Sequence, residues 1–84
     1  MNQVELRPEV YAFAQAMELK LRLNDHKTHW SNMTQRYLSQ RLSQEREELR
    51  RACRRGDPAE ILSEAADVAN FAMMLADNAS KGLK

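Results

Sequence analysis

The sequence predicts an all-α protein, a three-helix subunit forming an antiparallel helical bundle completed by oligomerisation. Three observations lead there. The chain is 43% apolar but only 6% aromatic, and its two Gly and two Pro leave little material for turns, which suits a few long helices rather than a sandwich or barrel. Apolar residues recur at helical spacing in three segments bounded by stop signals. Two of these segments carry more apolar surface than a three-helix monomer can cover. At 84 residues, the chain is near the lower limit for a self-sufficient core, so residues 1–84 are read as a single helical domain.

The first helix is placed at about 8–23. Pro8 suits a first helical position, and Val10, Phe13, Ala14, Met17 and Leu21 fall on one stripe. Asn24-Asp25 end it, and a polar loop with His26, Lys27, His29 and Trp30 follows. The second helix is placed at about 32–55, with Ser31 or Asn32 as its cap. It carries Leu38, Leu42, Leu49, Ala52 and Cys53 on its inward face. Gly56 is the expected residue just past the end, and Arg50, Arg51, Arg54 and Arg55 cluster where the helix dipole favours cations. Asp57 caps the third helix, at about 58–78, and Pro58 takes its first position. There Ile61, Ala65, Val68, Ala72 and Leu75 form the inward stripe.

Composition excludes several classes. Charged residues are 30% of the chain but nearly balanced, at +1 net, which demands neither a nucleic acid nor a membrane as partner. A single Cys53 and two His are too few for an internal disulfide, a zinc finger or a C-x-x-C redox motif. Charges interrupt every apolar stretch, so neither a signal peptide nor a spanning segment is expected, and a cytoplasmic location is.

The informative feature is the placing of the acids. Glu45 falls in the middle of the inward face of the second helix, and Glu48 at its edge. Glu64 falls inside the apolar stripe of the third helix, with Asp67 just beyond Phe71. Glu48 and Glu64 lie eight residues either side of Gly56, and Glu45 and Asp67 eleven. A short Gly56-Asp57-Pro58 turn would therefore level Glu48 with Glu64 and Glu45 with Asp67. Within each helix the two acids are three apart, hence ~5–6 Å between Cβ atoms. Four converging carboxylates repel one another and lose hydration; a divalent cation reverses that balance. Oxygen ligands without Cys or His select a hard ion, Mg²⁺ or else Mn²⁺. The plainer alternative pairs Glu45 and Glu48 with Arg41 and Arg51 on a solvated face.

Glu45-Arg-Glu-Glu48, fifteen residues, then Glu64-Ala-Ala-Asp67-Val68-Ala-Asn70 resembles the E-x-x-E…E-x-x-D signature of the MazG-like all-α NTP pyrophosphohydrolases. That superfamily includes dimeric dUTPases and phosphoribosyl-ATP pyrophosphohydrolases. The run from Met17 to Trp30 is similar to small MazG-like proteins of phages and mobile elements, and the resemblance covers about Met17 to Asp77. It implies hydrolysis of a (deoxy)nucleoside triphosphate to the monophosphate and pyrophosphate. Glu45, Glu48, Glu64 and Asp67 would hold Mg²⁺ and carry catalysis, one acid, Glu48 among them, orienting the water. Members commonly present a fourth core helix per subunit where this chain has room for three, so the resemblance also implies a site that is either completed by another subunit or degenerate.

Beside the acids, Trp30 suits either stacking on a nucleobase, with Asn24, His26 or His29 reading its edge, or plugging the corner between the first two helices. Lys27, and less so Lys20, are candidate phosphate ligands, and Asn70, one turn past Asp67, is a candidate substrate contact. Ala12, Ala16, Leu19 and Leu23 form a second stripe on the first helix. Leu62, Ala66, Ala69, Met73 and Ala76 widen that of the third. A homodimer or dimer of dimers covers both. The competing function is a non-catalytic helical module, binding a partner or sensing a nucleotide without cleaving it.

Overall fold

The computed structural model describes residues 3–84. It is all-helical: α1 Pro8–Leu23, a short 3₁₀ turn Trp30–Asn32, α2 Gln35–Arg55 and α3 Pro58–Ser80. No strand occurs among the described residues. Each boundary has a local cause. Pro8 opens α1. Gly56 ends α2 at φ 80, in the left-handed region a glycine adopts without strain, and its N–H closes the helix on the Ala52 carbonyl. Asp57 then accepts a hydrogen bond from the Ala59 N–H at 3.1 Å and Pro58 starts α3.

Two ends differ from the sequence expectation. Thr34 caps α2, accepting from the Tyr37 N–H at 3.1 Å, while Ser31 and Asn32 belong to the 3₁₀ turn. The helix consequently begins at Gln35 and not at 32. At the other end, α3 continues through Asn78 to Ser80. Asn78 is fully buried, its amide donating to the Trp30 carbonyl at 3.0 Å and the Met33 carbonyl at 3.5 Å, so tertiary bonds carry the helix past its expected stop.

α3 is the central element. It packs against α2 through the Gly56-Asp57 turn and against α1 on another side, whereas α1 and α2 make no backbone-level contact with each other. Both flanking helices run antiparallel to α3: Met17 lies beside Asn70, and Lys20 beside Ser63.

The interior is thin. Leu38, Ala52 and Ala66 are the fully buried apolar residues among those described, joined by the polar Asn70 and Asn78. Cys53, expected inward, is exposed, and so is Val10, at 46%. Ala66, assigned by pattern to an outer stripe, is buried. Its neighbours Ala16 and Leu19 on α1 show why: the middle helix must bury an arc toward each flank. Leu38 is the largest fully buried apolar side chain. Leu38→Ala is expected to cost about 2–5 kcal/mol and to lower the thermal midpoint by ~8 °C or more, read by circular dichroism.

Candidate active site

The hairpin brings three of the four predicted acids together. Carboxylate oxygens of Glu45 on α2 and of Glu64 and Asp67 on α3 all lie within 4.8 Å of one another, and all three residues are half-buried. Two oxygens on opposite sides of an octahedral Mg²⁺ are about 4.2 Å apart, from bonds of ~2.1 Å, so the cluster is of the right size and donor type for one hard cation. Burial pushes the Glu64 carboxyl above the ordinary carboxylate range. The charges of Asp67 and Glu45 raise it further, against the pull of Lys20.

Glu48 is not part of this trio. Its side chain is 49% exposed, against 14% for Glu45, and it is bonded to Arg51 at 3.0 Å. It began at the edge of the inward face, and the basic residue one turn on draws it to solvent. Its charge still contributes to the rise at Glu64, which keeps it within electrostatic reach. The plainer pairing expected for Glu45 is also present: Arg41 Nη2 donates to Glu45 Oε1 at 2.8 Å.

Beside the acids lies a cavity of about 210 Å³. It lies between α1 and α2, whose backbones do not approach each other. Leu21, Trp30, Met33, Tyr37, Phe71 and Met74 supply its apolar walls, while Lys20, Arg41 and Asp67 join it to the acidic cluster. All four predicted substrate residues, Asn24, Lys27, Trp30 and Asn70, line it. Their roles in the fold differ. Asn24 donates to the Lys20 carbonyl at 2.9 Å, closing the end of α1. Lys27 stands exposed on the following turn. Trp30 Nε1 donates to Asp77 Oδ2 at 2.9 Å and its ring stacks on His29 at 4.0 Å between centroids. It is therefore both corner plug and cavity wall. Asn70, 4% exposed, donates its amide to the Met17 carbonyl at 3.0 Å and leaves its Oδ1 without a protein partner, an acceptor in want of a donor.

Three further residues contribute. Arg41 is one, expected from the sequence as a partner for Glu45 four residues on but not as a wall of the cavity. Ser63 is another, accepting from Lys20 Nζ at 2.9 Å while the same ammonium lies 3.3 Å from Asp67. Asp77 is the third: the Lys81 ammonium and the Trp30 indole hold its carboxyl below the usual range. Its partners lie 4 and 47 residues away, and no local pattern announces the second.

An all-helical chain thus gathers half-buried carboxylates across a hairpin, next to an aromatic-walled cavity with cations at its rim. Residues 10–80 match the phosphoribosyl-ATP pyrophosphohydrolase family model, and the chain belongs to that family, a branch of the MazG-like all-α NTP pyrophosphohydrolase superfamily. The family carries nucleotide pyrophosphohydrolase activity and is typically dependent on a divalent metal. No curated protein and no solved structure matches the chain. None of the described helices is long and apolar enough to cross a membrane.

Proposed function

We propose that this chain hydrolyses a (deoxy)nucleoside triphosphate to its monophosphate and pyrophosphate, with Mg²⁺ (or Mn²⁺) held by Glu45, Glu64 and Asp67. The observation that carries this reading is the trio of carboxylates within 4.8 Å beside a cavity with aromatic walls. The bound cation would neutralise phosphate charge and make the attacking water more acidic. The chain's own residues supply position and electrostatics, the larger part of catalysis in phosphoryl chemistry. Glu48 leaves Arg51 to join the set, as a fourth ligand or as the group that orients the water. Trp30 offers a face for the base, the free Oδ1 of Asn70 accepts from the base edge or the sugar, and Lys27 and Asn24 close the rim. Water adds at the α-phosphorus, the bond to the bridging oxygen breaks, and pyrophosphate departs.

The test is release of pyrophosphate from a panel of nucleoside and deoxynucleoside triphosphates, with phosphoribosyl-ATP included because the family bears its name. Absence of pyrophosphate from every member, with nucleotide binding retained, would favour the second reading, a sensor that binds without cleaving. One observation favours that alternative: Arg41 and Lys20 already neutralise Glu45 and Asp67.

The working unit is read as a homodimer or a dimer of dimers. Leu19, Leu23 and Leu62 are 62%, 65% and 49% exposed and, with Ala16 and Ala59, line an apolar groove between α1 and α3. A second copy covering it would supply the core that three buried apolar residues do not. Leu19→Glu or Leu23→Glu is expected to dissociate the assembly and to lose activity with it. Light scattering checks the first effect, and a wild-type mass of 9.8 kDa in solution refutes it.

A further inference from the structure

Two cations reach the acidic cluster, and they are held in different ways. Lys20 comes from α1 and is fixed by partners on α3, Ser63 at 2.9 Å and Asp67 at 3.3 Å. Arg41 comes from α2 and bonds only within its own helix among these polar partners, to Glu45 at 2.8 Å and to Gln44. Its guanidinium also lies over the Phe71 ring, 5.1 Å from the centroid, and faces the cavity. The stem is thus steered by an aromatic face while the polar bonds are exchangeable. A planar fork with five donors is matched to phosphate oxygens.

We propose that Arg41 is a transferable phosphate ligand: it caps Glu45 while the cluster is empty and passes to the triphosphate once a divalent cation takes the carboxylates. This rests on the pyrophosphohydrolase reading of the site. A dication beside Glu45 removes the attraction that holds the guanidinium and repels it at short range. Cation–ring contact with Phe71 keeps the displaced group at the cavity rim rather than in solvent. Incoming phosphate oxygens then restore the lost bonds. Arg41 in this way makes the metal-loaded state the one that binds nucleotide, and keeps Glu45 from standing unpaired in the empty cluster.

The consequence is a pair of effects of opposite sign, which a residue that merely props up the fold does not produce. Titration calorimetry would measure Mg²⁺ alone, and then a non-hydrolysable α,β-imido triphosphate at saturating Mg²⁺, on wild type, Arg41→Gln and Arg41→Lys. Arg41→Gln is expected to bind Mg²⁺ more tightly, since a competing cation is gone. It should bind the analogue about 10- to 100-fold more weakly, the effect of one or two charge-assisted hydrogen bonds. Arg41→Lys should recover part of the analogue affinity, because it restores charge without the fork. In turnover the loss should fall on KM before kcat. Weaker Mg²⁺ binding in Arg41→Gln, or unchanged analogue affinity, overturns the proposal for Arg41 while leaving the site intact. Failure of wild type to bind either Mg²⁺ or the analogue overturns the reading of the site itself, and this proposal with it.

Discussion

Glu64→Gln is expected to lose at least ~10²-fold in Mg²⁺-dependent pyrophosphate release. Even partners of metal ligands cost 10- to 100-fold when removed, roughly, and a ligand costs no less. The same substitution is expected to make the metal-free protein more stable at pH 8. Glu64 has its carboxyl pushed up by burial and by Asp67 and Glu45, so its ionised form is the uncomfortable one. An amide of the same shape carries no charge to desolvate. The gain should shrink as pH falls below the ordinary carboxylate range, where protonation removes the charge from Glu64 in folded and unfolded chains alike. Pyrophosphate assay and thermal melts on one preparation check both signs. Full activity in Glu64→Gln, or in Glu45→Gln, sinks the assignment.

Divalent metal is expected to raise the thermal midpoint, and more at pH 8 than at pH 5, nearer the ordinary carboxylate range. For Glu64 the folded pKa lies above its unfolded value. The folded state therefore binds more protons in that window, and stability falls as pH climbs from the ordinary carboxylate value of ~4 through the raised one. Mg²⁺ binds the ionised, folded cluster and scarcely the unfolded chain. At about a hundredfold excess over Kd it adds ~2.7 kcal/mol, worth roughly 10–20 °C in a domain this small. Melts at the two pH values, with EDTA and with several millimolar Mg²⁺ or Mn²⁺, decide the matter. A midpoint indifferent to metal at both would remove the cation site and leave the interaction-module reading in its place. Asp77 acts with the opposite sign: its lowered carboxyl contributes stability that is lost as pH falls, so the Trp30 corner should loosen first in acid.

Much of this was legible in the chain because the signals were local. Pro8, Gly56 and Asp57-Pro58 each act within one turn of helix, and the structure has its helix ends there. The symmetry of the acids about Gly56 needs only a tight turn to become proximity, and three of the four met. What the pattern misjudged depended on partners distant in sequence or on close competitors. Ser31, Asn32 and Thr34 are all good caps, and a turn anchored by Asn78 from the far end of α3 decides among them. Periodicity on α3 gave one stripe to the interior and the arc holding Ala66 to a partner copy, but a helix packed on two sides buries both, so the burial of Ala66 and Asn70 within the subunit was not foreseen. Glu48 and Cys53 sit where a few degrees of helix rotation separate interior from solvent, and Arg51 tips the balance for Glu48.

The absence of backbone-level contact between α1 and α2 has a bearing on how such a protein can be altered. The acids are spaced by the meeting of α2 with α3, whereas the width of the cavity is set by how closely α1 approaches α3. Those are separate adjustments. A larger residue behind the cavity, at Ala16 or Ala66, would act as a shim, moving the α1 wall and the side chains it carries, Lys20 and Asn24 among them, while the α2–α3 spacing of Glu45 and Glu64 stays as it is. A library confined to the α1–α3 seam would therefore change the width of the cavity first, with Lys20 as the link through which that seam still reaches Asp67.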